Sequence, residues 1–240
     1  MSLTASTLQR AMPGLSIGLA EKYAPLLRKA MIEQKINTPK RAAAFLAQLG
    51  HESLSLKFFE EIWGPTQAQR GYEGRLDLGN TQPGDGKRFK GRGPIQLTGR
   101  ANYRRYGQLL GLPLEQNPEM AAKPNVGFRT AAMFWSQIGA NAMADAGDFK
   151  GITRRINGGF NGLEDRQRRL ASINAMGAAS VVPELTKAEK WREELRMRRA
   201  QLKVETASGT RSFLMRRIDA LKRALRRERK RKSQGPQPIG

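Results

Sequence analysis

Apolar residues recur at helical spacing along most of this chain, and that period stops between Gly64 and Gly93. A repeat of 3.6 residues buries its apolar stripe by packing helix on helix, so the body is predicted to be mainly α with one irregular wall. Gly, Asp, Asn and Pro crowd the interruption (GYEGRLDLGNTQPGDGKRFKGRG). The run reads as a long loop with a short hairpin turning near Asp85-Gly86, an α+β element in a helical protein. Long irregular segments inside compact domains are uncommon and are often functional.

Helices are predicted at 6–12 and 17–34, the second carrying Leu19, Tyr23, Leu26, Leu27 and Ala30 on one face. Thr38 is a capping residue and Pro39 suits a first helical position, so a third helix starts there and presents Ala42, Phe45, Leu46 and Leu49. Beyond the interruption, helical character returns at 98–110, 126–140, 149–156 and 163–176, with Asn157-Gly158-Gly159 as a stop. After Pro183 the composition changes. Residues 184–232 form two amphipathic patterns broken at Ser208-Gly209, the second placing Leu214, Ile218, Leu221 and Leu225 among arginines, and SQGPQPIG reads as a flexible end. The expected organisation is a domain over 1–182 and a basic helical tail over 183–240.

Charge narrows the partners. The net charge is +22, and half of the excess lies in the tail, where 18 Lys and Arg face 7 Asp and Glu from Glu184 onward. Polyanions are the default partners of such a chain. With no cysteine there are no disulfides or thiolate metal sites, and the single histidine, His51, is poor material for a zinc site or a serine–histidine triad. No metal or cofactor is expected.

Glu52 stands on the wrong face of its helix. At 100° per residue it lies about 20° from Phe45 and on the stripe of Leu49. A carboxyl turned toward an apolar surface has its charged form disfavoured and its pKa raised, as a general acid requires; the bland alternative is a frayed helix end in water. Glycoside hydrolysis by the inverting route needs a second carboxylate roughly 6.5–9.5 Å away. On one continuous helix Glu61 would be about 13.5 Å distant and on the opposite face. Chain reversal after Ser53 brings Glu60 or Glu61 back, and in an extended run only one of two neighbours points inward. Spacing leaves that choice open, with Glu73 as a rival base near Arg75 or Arg92.

The runs AAAFLAQLGHES, FFEEI, KRFKGRGPIQLTGRANY and ITRRINGG resemble glycoside hydrolase family 19, in the same order and spacing, over roughly residues 1–180. The resemblance implies a lysozyme-like fold with a small β region beside the cleft. It implies Glu52 as general acid, Glu61 rather than Glu60 as general base, and Thr98 as the hydroxyl holding the nucleophilic water. Gln96, Asn102, Tyr103 and Asn157 correspond to sugar-contacting positions. The segment between Thr98 and Asn102 is one residue longer than in plant chitinases, and their cysteines are missing, which points to the phage or bacterial lysin branch.

The function expected is an endolysin that hydrolyses β-1,4 bonds between the amino sugars of peptidoglycan, with a chitinase or a non-catalytic wall- or polyanion-binding protein as alternatives. The stretch MSLTASTLQRAMPGLSIGLAEKY has no apolar h-region and no cleavage site. Accumulation in the host cytoplasm before release to the wall is therefore expected, for a monomer. The tail is read as a solvated hairpin, as an interfacial element for lipopolysaccharide or anionic membrane, or, less readily, as a nucleic-acid contact through RRERKRK.

Overall fold

The structure, a computed structural model, describes residues 2–206 and 208–233. The SQGPQPIG end expected to be flexible lies, beyond Ser233, outside the described residues. Internal contacts divide the chain into two compact units, 1–184 and 185–240.

The first unit runs α1 (Ala5–Ala11), α2 (Ile17–Glu33), α3 (Pro39–Glu52), α4 (Gln67–Arg70), α5 (Asp85–Arg88), α6 (Arg100–Leu110), α7 (Pro124–Gln137), α8 (Ala140–Asp145), α9 (Phe149–Asn157) and α10 (Leu163–Ala175), with short 3₁₀ turns between. The helix α3 is its centre. Thr38 Oγ1 accepts from Arg41 N and Pro39 occupies the first turn, where its missing N–H costs nothing. Every residue from Ala42 to Gly50 is buried. The predicted stripe is thus only part of the packing: Ala43, Ala44 and Ala47 are small enough for neighbours to close on all sides, and α1, α8 and α10 do so. A Cβ at Gly50 would stand 3.1 Å from Met12 Sδ, so closely is the backbone approached. The ring of Phe45 meets Trp135 edge-on at 5.3 Å, and Tyr23, Phe59 and Phe128 form a second aromatic group. Offset and edge-on geometries of this kind add to the burial of the rings.

A smaller core gathers Phe89, Leu97, Tyr103, Tyr106 and Leu114 around α6. The hairpin predicted near Asp85-Gly86 is absent there. The segment winds into α5 instead, and the described residues hold only the isolated bridges Glu60–Arg92 and Arg92–Leu97. Side chains have taken the groups a hairpin would pair. Glu73 accepts from Gly84 N at 2.6 Å and Gly86 N at 2.8 Å, and Asp85 is buried against Arg100. The apolar run 126–140 also divides, with α7 ending at Gln137 and Gly139 in a left-handed turn before α8.

The second unit pairs α11 (Lys187–Val204) with α12 (Ser208–Ser233). The break comes before Ser208, not at Ser208-Gly209, and Arg211 closes it by donating to Leu202 O and Glu205 O. Arg217 holds Glu194 with two hydrogen bonds. Leu214, Ile218 and Leu221 are buried and Leu225 is half-buried, so on the interfacial reading, one of three for the tail, most of the stripe is not free to meet a lipid surface. No helix among the described residues is long and apolar enough to cross a membrane.

Candidate active site

The helix α3 stops at Glu52 because the chain turns left-handed immediately after it. Leu54, Ser55 and Leu56 have φ of 48°, 62° and 64°. Each such non-glycine residue costs about 1–2 kcal/mol, and local bonds offset that cost. Ser53 Oγ donates to Leu49 O at 2.6 Å and accepts from Leu56 N at 2.9 Å, and Ser55 N donates to Gly50 O at 2.7 Å. Backbone strain held in place this firmly is a mark of functional segments.

The reversal lays residues 59–61 along 91–93. Glu61 N donates to Gly91 O at 2.9 Å and Gly93 N to Phe59 O at 2.8 Å. Neighbours in an extended run point to opposite sides, and the two glutamates part accordingly. Glu60 binds Arg92 Nε at 3.0 Å and Lys90 Nζ at 3.2 Å. Burial pushes its carboxyl up, but the hydrogen bonds and charges of Lys90 and Arg92 outweigh that and hold it below the usual range. Among the described residues Glu61 meets only neutral donors: Gln69 Nε2 at 3.0 Å and Tyr72 OH at 3.4 Å on one oxygen, Gly91 N at 2.9 Å on the other. Glu73 spends both oxygens on backbone amides and approaches neither Arg75 nor Arg92 in an ion pair; those arginines bind Asp77 and Glu60.

Glu52 sits at the end of a buried polar chain rather than in an apolar pocket. Its Oε1 accepts from Arg166 Nη2 at 2.6 Å, and Arg166 is 2% exposed. Arg166 also donates to Gln48 Oε1, Gln48 donates to Thr153 Oγ1, and Arg166 Nε reaches Asn161 O. Asn157 Nδ2 donates to that same Asn161 carbonyl, which brings Asn157 into the Glu52 network. His51 Nδ1 lies 2.8 Å from Asp165 Oδ2; a carboxylate only accepts, so Nδ1 carries the proton and the histidine serves the scaffold.

Gln96, Thr98 and Asn102 fall on the Glu61 side. A Cβ on Gly91 would lie 2.4 Å from Gln96 Oε1 and 3.2 Å from Glu61 Oε2, so glycine is what lets these two side chains approach. Thr98 Oγ1 donates to Gln96 O, and Asn102 Nδ2 donates to Thr98 O. The three line a cavity of about 410 Å³. Tyr103 is not among its lining. The ring is fully buried in the smaller core, its hydroxyl donates to Lys90 O and accepts from Arg92, and burial pushes its pKa up to about 12. A sugar has no access to it in this structure. Trp135 is core, and Trp63 packs on Tyr72. Among the described residues no group of three or more His, Cys, Asp or Glu side chains could hold a metal ion.

A Haemophilus influenzae protein described as glycosyl hydrolase family 19 domain-containing is 30% identical over 193 residues, which cover 69% of this chain and 92% of that protein. The chain belongs to glycosyl hydrolase family 19. A family model described as Chitinase class I matches residues 30–145. An Arabidopsis thaliana endochitinase is 41% identical over 121 residues, but the match spans 40% of its length. Two solved structures share the fold: chitinase C of Streptomyces griseus (TM-score 0.60, 21% identity, 76% of this chain and 79% of that one) and a bacterial family 19 chitinase (0.57, 22%, 77% and 98%). This family 19 chain is thus a glycoside hydrolase with a mainly helical, lysozyme-like fold.

Sequence reasoning missed Arg166, Gln48, Gln69 and Tyr72. Arg166 had a signal of the kind that marked Glu52: it interrupts the stripe of Leu163, Leu170 and Ile173 at helical spacing. A charge on each of two apolar stripes is how a buried pair looks before folding.

Proposed function

We propose that this family 19 hydrolase cuts the β-1,4 bonds between amino sugars of peptidoglycan, as an endolysin does, with Glu52 as general acid and Glu61 as general base. Glu52 keeps Oε1 on Arg166, and Oε2, which has no hydrogen bond among the described residues, is the atom that carries and delivers the proton. Glu61 draws a proton from water, and its neutral donors fix its direction without neutralising it by a cation. Thr98, Gln96, Asn102 and Asn157 are assigned to the water and the sugar chain by the family resemblance, supported by Gln96 standing against Glu61 and by Asn157 sharing the Asn161 carbonyl with Arg166. The family resemblance implies an inverting displacement, in which bond cleavage and water attack occur on opposite faces of the sugar.

The observation that carries peptidoglycan over chitin is charge. Peptidoglycan bears carboxylates and chitin does not, and this chain has a net charge of +22. Chitin remains the second reading, favoured by the endochitinases among the relatives. Wild type and Glu52→Gln on purified sacculi and on colloidal chitin separate the two. Wild type is expected to release soluble glycan from sacculi, with the new reducing sugar identified by mass spectrometry. The substitution is expected to lower turnover at least about 100-fold at unchanged circular dichroism, the range for loss of a general acid. Turnover of chitin with none on sacculi removes the peptidoglycan assignment, and full activity in Glu52→Gln removes Glu52 from the chemistry.

A further inference from the structure

The cavity that Gln96 shares with Thr98 and Asn102 has a polar end and a cation in its lining. Gln96, Thr98 and Asn102 make the polar end, Tyr106 and Phe134 lie among its apolar walls, and Arg105 stands at the edge with no acidic residue in the lining. Arg105 is set apart by its pairing. Neighbouring Arg100 and Arg104 both bind Glu115, and Arg92 binds Glu60, whereas among the described residues Arg105 makes one neutral hydrogen bond, to Gln137 Oε1 at 3.2 Å. A second cation stands nearby, since Arg155 Nη1 donates to the carbonyl of Ile138, another lining residue.

Placement on α6 gives this cation a reach. Thr98 precedes the helix, Asn102 lies in its first turn, and Arg105 follows Asn102 by three residues on the same face, a rise of about 4.5 Å. That step is comparable to the distance from a sugar ring atom to the end of a short substituent on it. A group projecting from a sugar held at Thr98 and Asn102 along the helix therefore meets a guanidinium. Guanidinium and carboxylate match in planar, two-point hydrogen bonding, a geometry lysine does not provide. A neutral amide of an N-acetylglucosamine unit needs no such cation.

We propose that Arg105 is a specificity-determining residue that binds the free carboxylate on the 3-O-lactyl branch of a muramic acid unit that carries no stem peptide. The proposal rests on the peptidoglycan reading and assigns one sugar of that substrate to one cavity. Arg105 selects the anionic sugar from the neutral one, and Gln137 holds the guanidinium toward the cavity until substrate arrives.

Calorimetric titration tests it with Glu52→Gln protein, which binds without cutting. Three tetrasaccharides serve as probes: chitotetraose, the alternating N-acetylglucosamine–N-acetylmuramic acid tetramer with free lactyl acids, and the same tetramer with those acids converted to amides. The free acid is expected to bind about tenfold tighter than its amide. Adding Arg105→Gln is expected to shrink that ratio to about twofold or less, and Arg105→Lys to restore only part of it. Lys29→Gln, the same charge change on α2 away from the cavity, leaves the ratio intact. An acid-to-amide ratio that Arg105→Gln does not change overturns the subsite, as does binding of chitotetraose alone. Wild-type turnover of sacculi is measured in parallel. If sacculi are not cut but the Arg105-dependent ratio persists, the peptidoglycan reading falls and the subsite stands; if they are cut with no such ratio, the reverse holds.

Discussion

Arg166 holds two partners at once, Glu52 and Gln48, and is itself almost fully buried. Removing one member of such a pair strands the other and commonly costs about 3 kcal/mol or more. Arg166→Met is therefore expected to lower the melting temperature by roughly 6–12 °C, by the usual slope for a chain of this size, measured by scanning calorimetry. Arg166→Lys should recover less than half of that loss, since lysine lacks the fork that reaches both partners. Asp165 gives a pH-dependent counterpart. Burial pushes its carboxyl up, but hydrogen bonds from His51 and Arg169 and their charges win, and its pKa is held at about 2 against an ordinary 3.8. A folded pKa below the unfolded one means the ionised form stabilises the fold above pH about 4, and that stability is lost as the pH falls toward about 2. The side chain is a third exposed, so solvent screening limits the contribution to about 1–2 kcal/mol. Denaturant titrations should show Asp165→Asn less stable than wild type by that amount near neutral pH, and the gap closing at about pH 2. A gap that persists there would mean the aspartate acts through packing, not charge.

The elements bearing the site are joined by turns that tolerate few side chains. Gly162 caps α10 in a left-handed conformation, φ +69°, and a Cβ there would stand 2.2 and 2.4 Å from ring atoms of His51. Gly162→Ala thus meets two penalties, about 1–2 kcal/mol for the backbone and a displaced imidazole that had been hydrogen-bonded to Asp165. A fall in melting temperature of more than about 3 °C is expected. Gly159→Ala, with ordinary φ and nothing within 4 Å of its Cβ, should be neutral. Equal effects of the two would show that the His51 contact is unimportant. On the other side, α5 replaced a hairpin because Glu73 accepts from Gly84 N and Gly86 N, and Asp85 from Gln82 N, in a loop that is short of partners of its own. Side-chain-to-backbone bonds of this kind compete directly with regular pairing.

At the scale of the whole molecule, charge is distributed by unit. The helical pair α11–α12 carries many arginines, and burial of its Leu214, Ile218 and Leu221 leaves cationic faces at the surface. Deleting residues 185–240 is expected to abolish retention on anionic vesicles or lipopolysaccharide at low salt. In the intact chain that retention should fall steeply as salt is raised. Undiminished retention by the truncated chain, in a co-sedimentation assay, would assign the polyanion contact to the first unit instead. Much of this architecture was legible beforehand. The spans of α2, α3, α6, α9 and α10 follow from a period written into adjacent residues, the cap and proline at 38–39 mark a start, and a glutamate on the stripe of Leu49 marked itself as odd. Those are local properties, and a chain determines them before it folds. Three matters were decided only by the tertiary structure: that Glu52 meets a guanidinium from 114 residues away, that Arg92 takes Glu60 and leaves Glu61 to neutral donors, and that a conspicuous tyrosine at 103 is core. Each depends on which distant group arrives at a given point in space, and no periodicity along the chain records that.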